Sequence, residues 1–355
     1  MRRLSVNYLL EICSSTSYDP LFTGINQRCW LQHKILLGIK SSSSASTPTS
    51  TSSSASSLMN LYQDIGAFTE LFGNMDSSTA KSFINRERII RDKFEMLDAR
   101  HSTVVESFAG IVLSNRFPSS NGSSVESFLR QACGISILLQ HGFYLTSKKY
   151  HNPSGCIREN TDVGEILLGS IDQANMVANH HFTTVPGTII KVKDARPHSL
   201  KVSCIPSLIN FVMFELIKNA FSAVLKRRAN SSSTSLPPIE IEVEPAKDVI
   251  RIMIKDKGIG LLPDQEDFAE GIFQFARSSR EKRNESLPQQ SYQPSSAPLD
   301  GLGVGLYMSH LYATHFGGDL QIQSQSEGGT VVIYTISRDL FVEEFLPEST
   351  FCPSF

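Results

Sequence analysis

The chain has 355 residues, 40% of them apolar and 33 basic against 35 acidic, so it can build a sizeable core and carries no strong global field. That balance excludes a polyelectrolyte throughout and gives no electrostatic reason to expect nucleic acid or a membrane surface as a partner. Six cysteines without C-x-x-C or Cys-His ligand spacing argue against a zinc site and a disulfide framework. No uninterrupted apolar run reaches the roughly 18–20 residues of a membrane span, so none is expected.

The first 57 residues open on the basic stretch Met1-Arg2-Arg3-Leu4-Ser5 and end in Ser41–Ser57, which is almost entirely serine and threonine. This segment reads as a targeting sequence or as disorder, because its composition cannot offset ordering entropy. Residues 58–181 carry helical periodicity: Phe83 to Leu97, Thr103 to Leu113, Val125 to Leu145 and Val163 to His180 place apolar groups at three- and four-residue spacing. Polar loops join them, among them Tyr150–Asn160, and the pattern predicts a four-helix-type bundle.

Residues 182–340 change texture. Short β-type runs at Thr188–Val192, Leu200–Cys204, Ile239–Val243, Val249–Lys255, Leu320–Ser324 and Thr330–Ile336 alternate with helices from Pro206 to Lys226 and Gly305 to Phe316. The expected fold class is α+β: the bundle, then one mixed sheet covered by helices, then a tail at 341–355. A polar stretch rich in Ser, Gln and Pro, about 276 to 300, reads as a mobile lid.

Four motifs in this second half carry chemistry. On the helix from Pro206, the spacing places Glu215, Lys218, Asn219 and Ser222 on one polar face, with Val212, Leu216, Ala220 and Ala223 opposite. Asn219 can ligate Mg²⁺ through its amide oxygen, and Glu215, one turn earlier, can accept a proton beside a metal-bound phosphate. Asp256 ends an alternating strand and can accept a hydrogen bond from an exocyclic amine, which selects adenine over guanine. Gly258 and Gly260 then admit the base, while Gly301, Gly303 and Gly305, with Val304 and Leu306 between and after them, offer backbone N–H groups and a helix N-terminus to phosphates. Thr330, after Gly328-Gly329, completes the base pocket. A Walker A sequence is missing, so the expected cofactors, ATP and Mg²⁺, would sit in a different phosphate cradle.

The order E-x-x-x-N, D-x-G-x-G, G-x-G-x-G, G-x-T resembles the ATP site shared by sensor histidine kinases, Hsp90 chaperones and type II topoisomerases. Neither His101 nor His141 precedes an acidic residue and Arg-x-Pro, as a phosphoacceptor histidine does, so both read as packing or capping groups. With Arg100-His101-Ser102-Thr103-Val104-Val105, the Gly134–His141 element and Gly317-Gly318-Asp319-Leu320-Gln321 added, the chain resembles the mitochondrial 2-oxoacid dehydrogenase kinases, from about Lys93 to Asp339. That resemblance implies a Bergerat-type ATP domain behind a helical bundle and a protein-serine kinase of the mitochondrial matrix. It makes Glu215 the general base, Asn219 the Mg²⁺ ligand, and Asp256 and Thr330 the adenine contacts. It further implies an E1α subunit as substrate, a lipoyl domain of E2 as docking partner and a homodimer. Ser222 replaces the arginine of the family's K-N-A-x-R-A helix and Phe211 replaces a histidine of the pyruvate-type kinases, which sets a nucleotide-binding pseudokinase beside the enzyme as the alternative.

Overall fold

A computed structural model describes residues 92, 122–147, 152, 154–193, 196, 198–229, 236–261, 304–325 and 328–338. The helix expected at 83–97 apart from Asp92, the helix expected at 103–113, the stretch at 276–300, Gly301, Gly303, His101 and both ends of the chain lie outside the described residues. The chain divides into two compact units, the division along the sequence falling between Ile157 and Arg158.

In the first unit, helix α1 (Gly122–Thr146) covers the expected Val125–Leu145. Phe128, Ala132, Ile135 and Leu139 fall on one buried stripe at helical spacing. His141 is fully buried and its Nδ1 accepts the Cys156 N–H at 3.3 Å, so it is a packing histidine, as expected. Gly155, at φ +61°, lies flat against the imidazole where any side chain would collide.

The second unit holds β1 (Arg158–Asp162), α2 (Val163–His181), β2 (Thr188–Val192), β3 (Lys201–Cys204), α3 (Pro206–Ala229), β4 (Ile239–Pro245), β5 (Val249–Lys255), α4 (Gly305–His315), β6 (Asp319–Ser324) and β7 (Thr330–Ser337). Five strands form one mixed sheet in the order β2-β4-β5-β7-β6, with β2 parallel to β4 and every other pair antiparallel. Alternation decides its faces. Ile239, Ile241 and Val243 of β4 and Ile250, Ile252 and Ile254 of β5 are buried in one core, while Lys255–Glu242 and Lys191–Glu240 pair on the polar face at 2.8 and 3.3 Å.

Two expectations are corrected here. The run at 200–204, expected within the single sheet, pairs instead antiparallel with β1 in a separate two-stranded sheet, and β1 itself begins inside the stretch read as a loop. Helix α2, expected in a bundle ending at 181, is capped by the Asp162 carboxylate on the Gly164 N–H and packs on α3, with Leu167, Ile171 and Ala174 in the sheet's core. Periodicity shows that a helix has an apolar face; it does not show which neighbour covers that face.

Helix α3 is the centre of this unit. Val212, Met213, Leu216, Ile217, Ala220, Phe221 and Val224 are buried on several sides, because α2, α4 and β5 all pack against it. Among the described residues it is the one helix long and apolar enough to cross a membrane, contrary to the expectation from uninterrupted runs. Core packing accounts for that composition, since 61% of its apolar window is buried. The start of α3 also borders a small apolar cavity with Cys204, Tyr312, Phe316 and Tyr334, and none of the candidate site residues lines it.

Candidate nucleotide site

The packing of α3 leaves a narrow polar strip toward the start of α4. There Lys218 Nζ lies 2.5 Å from Glu215 Oε1, one turn apart on the helix, with the side chains only 14% and 12% exposed. The same ammonium stands 5.4 Å from the centre of the Phe214 ring, which adds a cation–π contact. The other carboxylate oxygen, Oε2, occupies the space a Cβ on Gly305 would take. Gly305 is therefore a glycine because the helix it opens abuts the Glu215 carboxylate. Asn219, the next turn along, is exposed and free to face a ligand-bound cation.

Ser222 and Ala223 differ from the helical-wheel expectation. Ser222 is buried rather than on the solvated strip. Ala223 is only partly buried and leaves the apolar side: its methyl packs under Gly258, whose own Cβ would strike it, and its carbonyl accepts the Ile259 N–H at 3.3 Å. Helix α3 thus touches α4 at Glu215 and the loop after β5 at Ala223, about 12 Å apart along its axis.

At that second end, Asp256 is 2% exposed. Its Oδ1 accepts the Gly258 N–H at 2.8 Å and its Oδ2 accepts the Thr330 hydroxyl. Burial raises the Asp256 carboxyl above its ordinary range, and those donors work against the rise by favouring the charged form. The backbone around it is close-set. Gly260, Gly328 and Gly329 have φ of +74°, +87° and +96°, and a Cβ on Gly329 would fall on the Asp256 carbonyl.

The structure thus brings Glu215 to Gly305, and Asp256 to Gly258 and Thr330. Val304 stands at the N-cap of α4 without a side-chain cap, and Leu306 packs against the core instead of facing outward. Sequence reasoning missed three contributors. Lys218 was legible only as part of a polar face; Arg227, whose guanidinium donates to the Lys257 carbonyl at 3.0 Å, reads as an ordinary basic helix end; Gln325 carries no motif at all.

The residues present fit a magnesium nucleotide. Asp256 is a buried acceptor and Asn219 is exposed one turn from Glu215, whereas the space beside Gly258, Gly305 and Gly329 is taken by Ala223, the Glu215 carboxylate and the Asp256 carbonyl, so these glycines let the protein's own elements close up around the carboxylates. Among the described residues no group of three His, Cys, Asp or Glu side chains could hold a metal alone, so a cation beside Asn219 would share phosphate oxygens and water, as Mg²⁺ does.

Residues 205–340 match the family described as histidine kinase-, DNA gyrase B- and HSP90-like ATPases. The chain is 25% identical over 281 residues to the mitochondrial [pyruvate dehydrogenase (acetyl-transferring)] kinase of Drosophila melanogaster, covering 74% of this chain and 65% of that protein. It is 31% identical over 204 residues to the mitochondrial isozyme 4 of Mus musculus, covering 56% of this chain and 47% of the relative. A probable mitochondrial kinase of the same description from Caenorhabditis elegans is 28% identical over 196 residues, 54% and 46% of the two chains. The chain spans at most about two thirds of the length of these relatives. Residues 205–340 are thus similar to the ATPases of the histidine kinase, gyrase B and HSP90 type, and the chain is similar to mitochondrial pyruvate dehydrogenase kinases over up to 74% of its length.

Proposed function

We propose that the chain is a Mg·ATP-dependent protein-serine kinase that phosphorylates, and so inactivates, the E1 component of a mitochondrial 2-oxoacid dehydrogenase, pyruvate dehydrogenase being the first candidate. The names of the relatives support the substrate class and the mitochondrial address, and the resemblance supports a matrix location, docking on an E2 lipoyl domain and a homodimer. The observation that carries the reading is the Glu215 carboxylate, held through Oε1 by Lys218 and presenting Oε2 to Gly305 at the start of α4.

Each residue then has a task. Asp256 and Thr330 orient the base; the N-terminus of α4 receives phosphate oxygens; Asn219 would hold Mg²⁺, which neutralises charge developing on the transferred group. Glu215 Oε2 accepts the proton of the attacking serine hydroxyl, and Lys218 keeps the carboxylate in the rotamer that points it there.

A nucleotide-binding pseudokinase is the second reading, and one observation favours it. Phe211, at the histidine position of the resemblance, packs edge-on against Tyr312 at 5.4 Å, leaving Glu215 no polar neighbour from that turn. Transfer of radiolabel from ATP to purified pyruvate and branched-chain E1 by the full chain separates the two. Labelled E1 supports the kinase and names its substrate; unlabelled E1 with normal nucleotide binding supports the pseudokinase. Reintroducing arginine as Ser222→Arg is the poorer test, since position 222 is buried and a guanidinium there would be desolvated.

A further inference from the structure

Where β5 and β7 part, their ladder is one donor short. Asp256 and Thr330 follow the last registered pair, Lys255 and Val331, and the Asp256 N–H donates to the Thr330 carbonyl at 3.0 Å. The reciprocal bond, from the Thr330 N–H to the Asp256 carbonyl, is not made, while the Thr330 hydroxyl donates to the Asp256 carboxylate. The Asp256 carbonyl would be left over. Gln325 fills the gap from the hairpin between β6 and β7: its Nε2 donates to the Asp256 carbonyl and to the Thr330 carbonyl, both at 2.8 Å. Both partners are acceptors only, so chemistry fixes which end of the amide faces them. The hairpin itself closes through backbone bonds, Gln325 N–H to the Gly329 carbonyl and Gly328 N–H to the Gln325 carbonyl, and needs nothing from the side chain.

We propose that Gln325 is a positioning residue for base recognition: by bridging the two carbonyls it holds the Asp256 and Thr330 backbones where the Thr330 hydroxyl meets the Asp256 carboxylate, which fixes that carboxylate to read an exocyclic amine. Apolar or acidic replacements leave the two carbonyls unbridged, Thr330 shifts relative to Asp256, and the carboxylate then swings. The consequence is a loss of selectivity for the amine, with the phosphate end untouched. The inference rests on the reading of Asp256 as the adenine acceptor.

The test is calorimetric titration of the full chain with Mg·ATP and with the magnesium complex of purine riboside triphosphate, which lacks the amine. The wild type should prefer ATP about tenfold or more, the worth of one hydrogen bond to a buried charged group. Gln325→Leu should bring that ratio close to one while affinity for the purine analogue stays within about twofold. Gln325→Lys, which can still donate to both carbonyls, should keep the ratio. An unchanged ratio in Gln325→Leu, or equal weakening of both nucleotides, overturns the proposal. If Gln325→Leu does not fold, Gln325→Glu against Gln325→Lys replaces it: loss in the first and retention in the second supports the role, and equal behaviour overturns it. Asp256→Ala separates the two levels, because a ratio it leaves unchanged removes the adenine reading and the role of Gln325 together.

Discussion

The two ends of helix α3 handle negative charge in opposite ways. At the Ala223 end, Asp256 is buried and its charge is met by N–H and hydroxyl groups that the sheet holds in place. At the Glu215 end, the carboxylate is met by a lysine on its own helix, a flexible cation on a four-carbon stem. Fixed dipoles suit recognition, since they do not rearrange when the ligand arrives; a movable counter-charge suits chemistry, since it can follow charge from carboxylate to phosphate. The glycines repeat the contrast. Gly329 is confined by backbone, the Asp256 carbonyl, whereas Gly305 is confined by a side chain, the Glu215 carboxylate.

The strongest way to break the comparison is at the chemical end. Glu215→Gln keeps the shape and removes the proposed base, so phosphoryl transfer should fall about 10²- to 10⁴-fold in single-turnover measurements while the affinity for Mg·ATP stays within about twofold. Unchanged transfer would mean that Glu215 is not the base, and a parallel loss of affinity would mean that the two ends are not separable.

A smaller effect is expected from alanine at the two glycines. Gly329→Ala places a Cβ on backbone at φ +96° and should cost about 1–3 kcal/mol, read as a drop of several degrees in thermal midpoint. Gly305→Ala meets only the tip of a flexible side chain, in a helix that favours alanine, so the midpoint should hold while turnover drops about tenfold as Glu215 is pushed aside. Equal stability losses at both positions would erase the distinction between fixed and movable surroundings.

The smallest effect is in pH. Because burial raises the Asp256 carboxyl, the contribution of this group to folding is fully present below the ordinary carboxylate range and is lost as pH rises through the raised value. With Asp256 as the proposed adenine acceptor, ATP needs the ionised form, so its binding should weaken as pH falls through that same value. The stabilisation by ATP, measured as the midpoint with nucleotide minus the midpoint without, should therefore shrink on acidification. A difference independent of pH would mean that the Asp256 proton is not linked to the nucleotide.

How much of this was legible in the sequence depends on where the signal is local. Strand β5 reads directly, because Ile250, Ile252 and Ile254 alternate with Arg251 and Lys255, and β2 and β5 have the expected limits. Helix α3 reads from its apolar spacing. Strand β1, Arg-Glu-Asn-Thr-Asp, has no apolar residue to announce it and exists because β3 lies beside it. Glu215, Asn219, Asp256 and Thr330 were legible as candidates because each belongs to a spaced motif. Gln325 was not, since a glutamine in Ser-Gln-Ser-Glu-Gly-Gly-Thr gains meaning only from a strand end that is 69 positions away in sequence. The burial of Ser222 and the turn of Ala223 toward Gly258 were hidden for the same reason: a helical wheel orders the faces of α3 but does not say what packs on each.

The most direct test of the central claim, that residues 205–340 bind Mg·ATP through the buried Asp256, is calorimetric titration of the full chain and of its Asp256→Ala variant with Mg·ATP. Saturable binding by the wild type, weakened about 100-fold or more in a variant that keeps its secondary structure, is the result expected. No heat and no thermal shift with the wild type at millimolar nucleotide, or equal affinity in the two proteins, would contradict it.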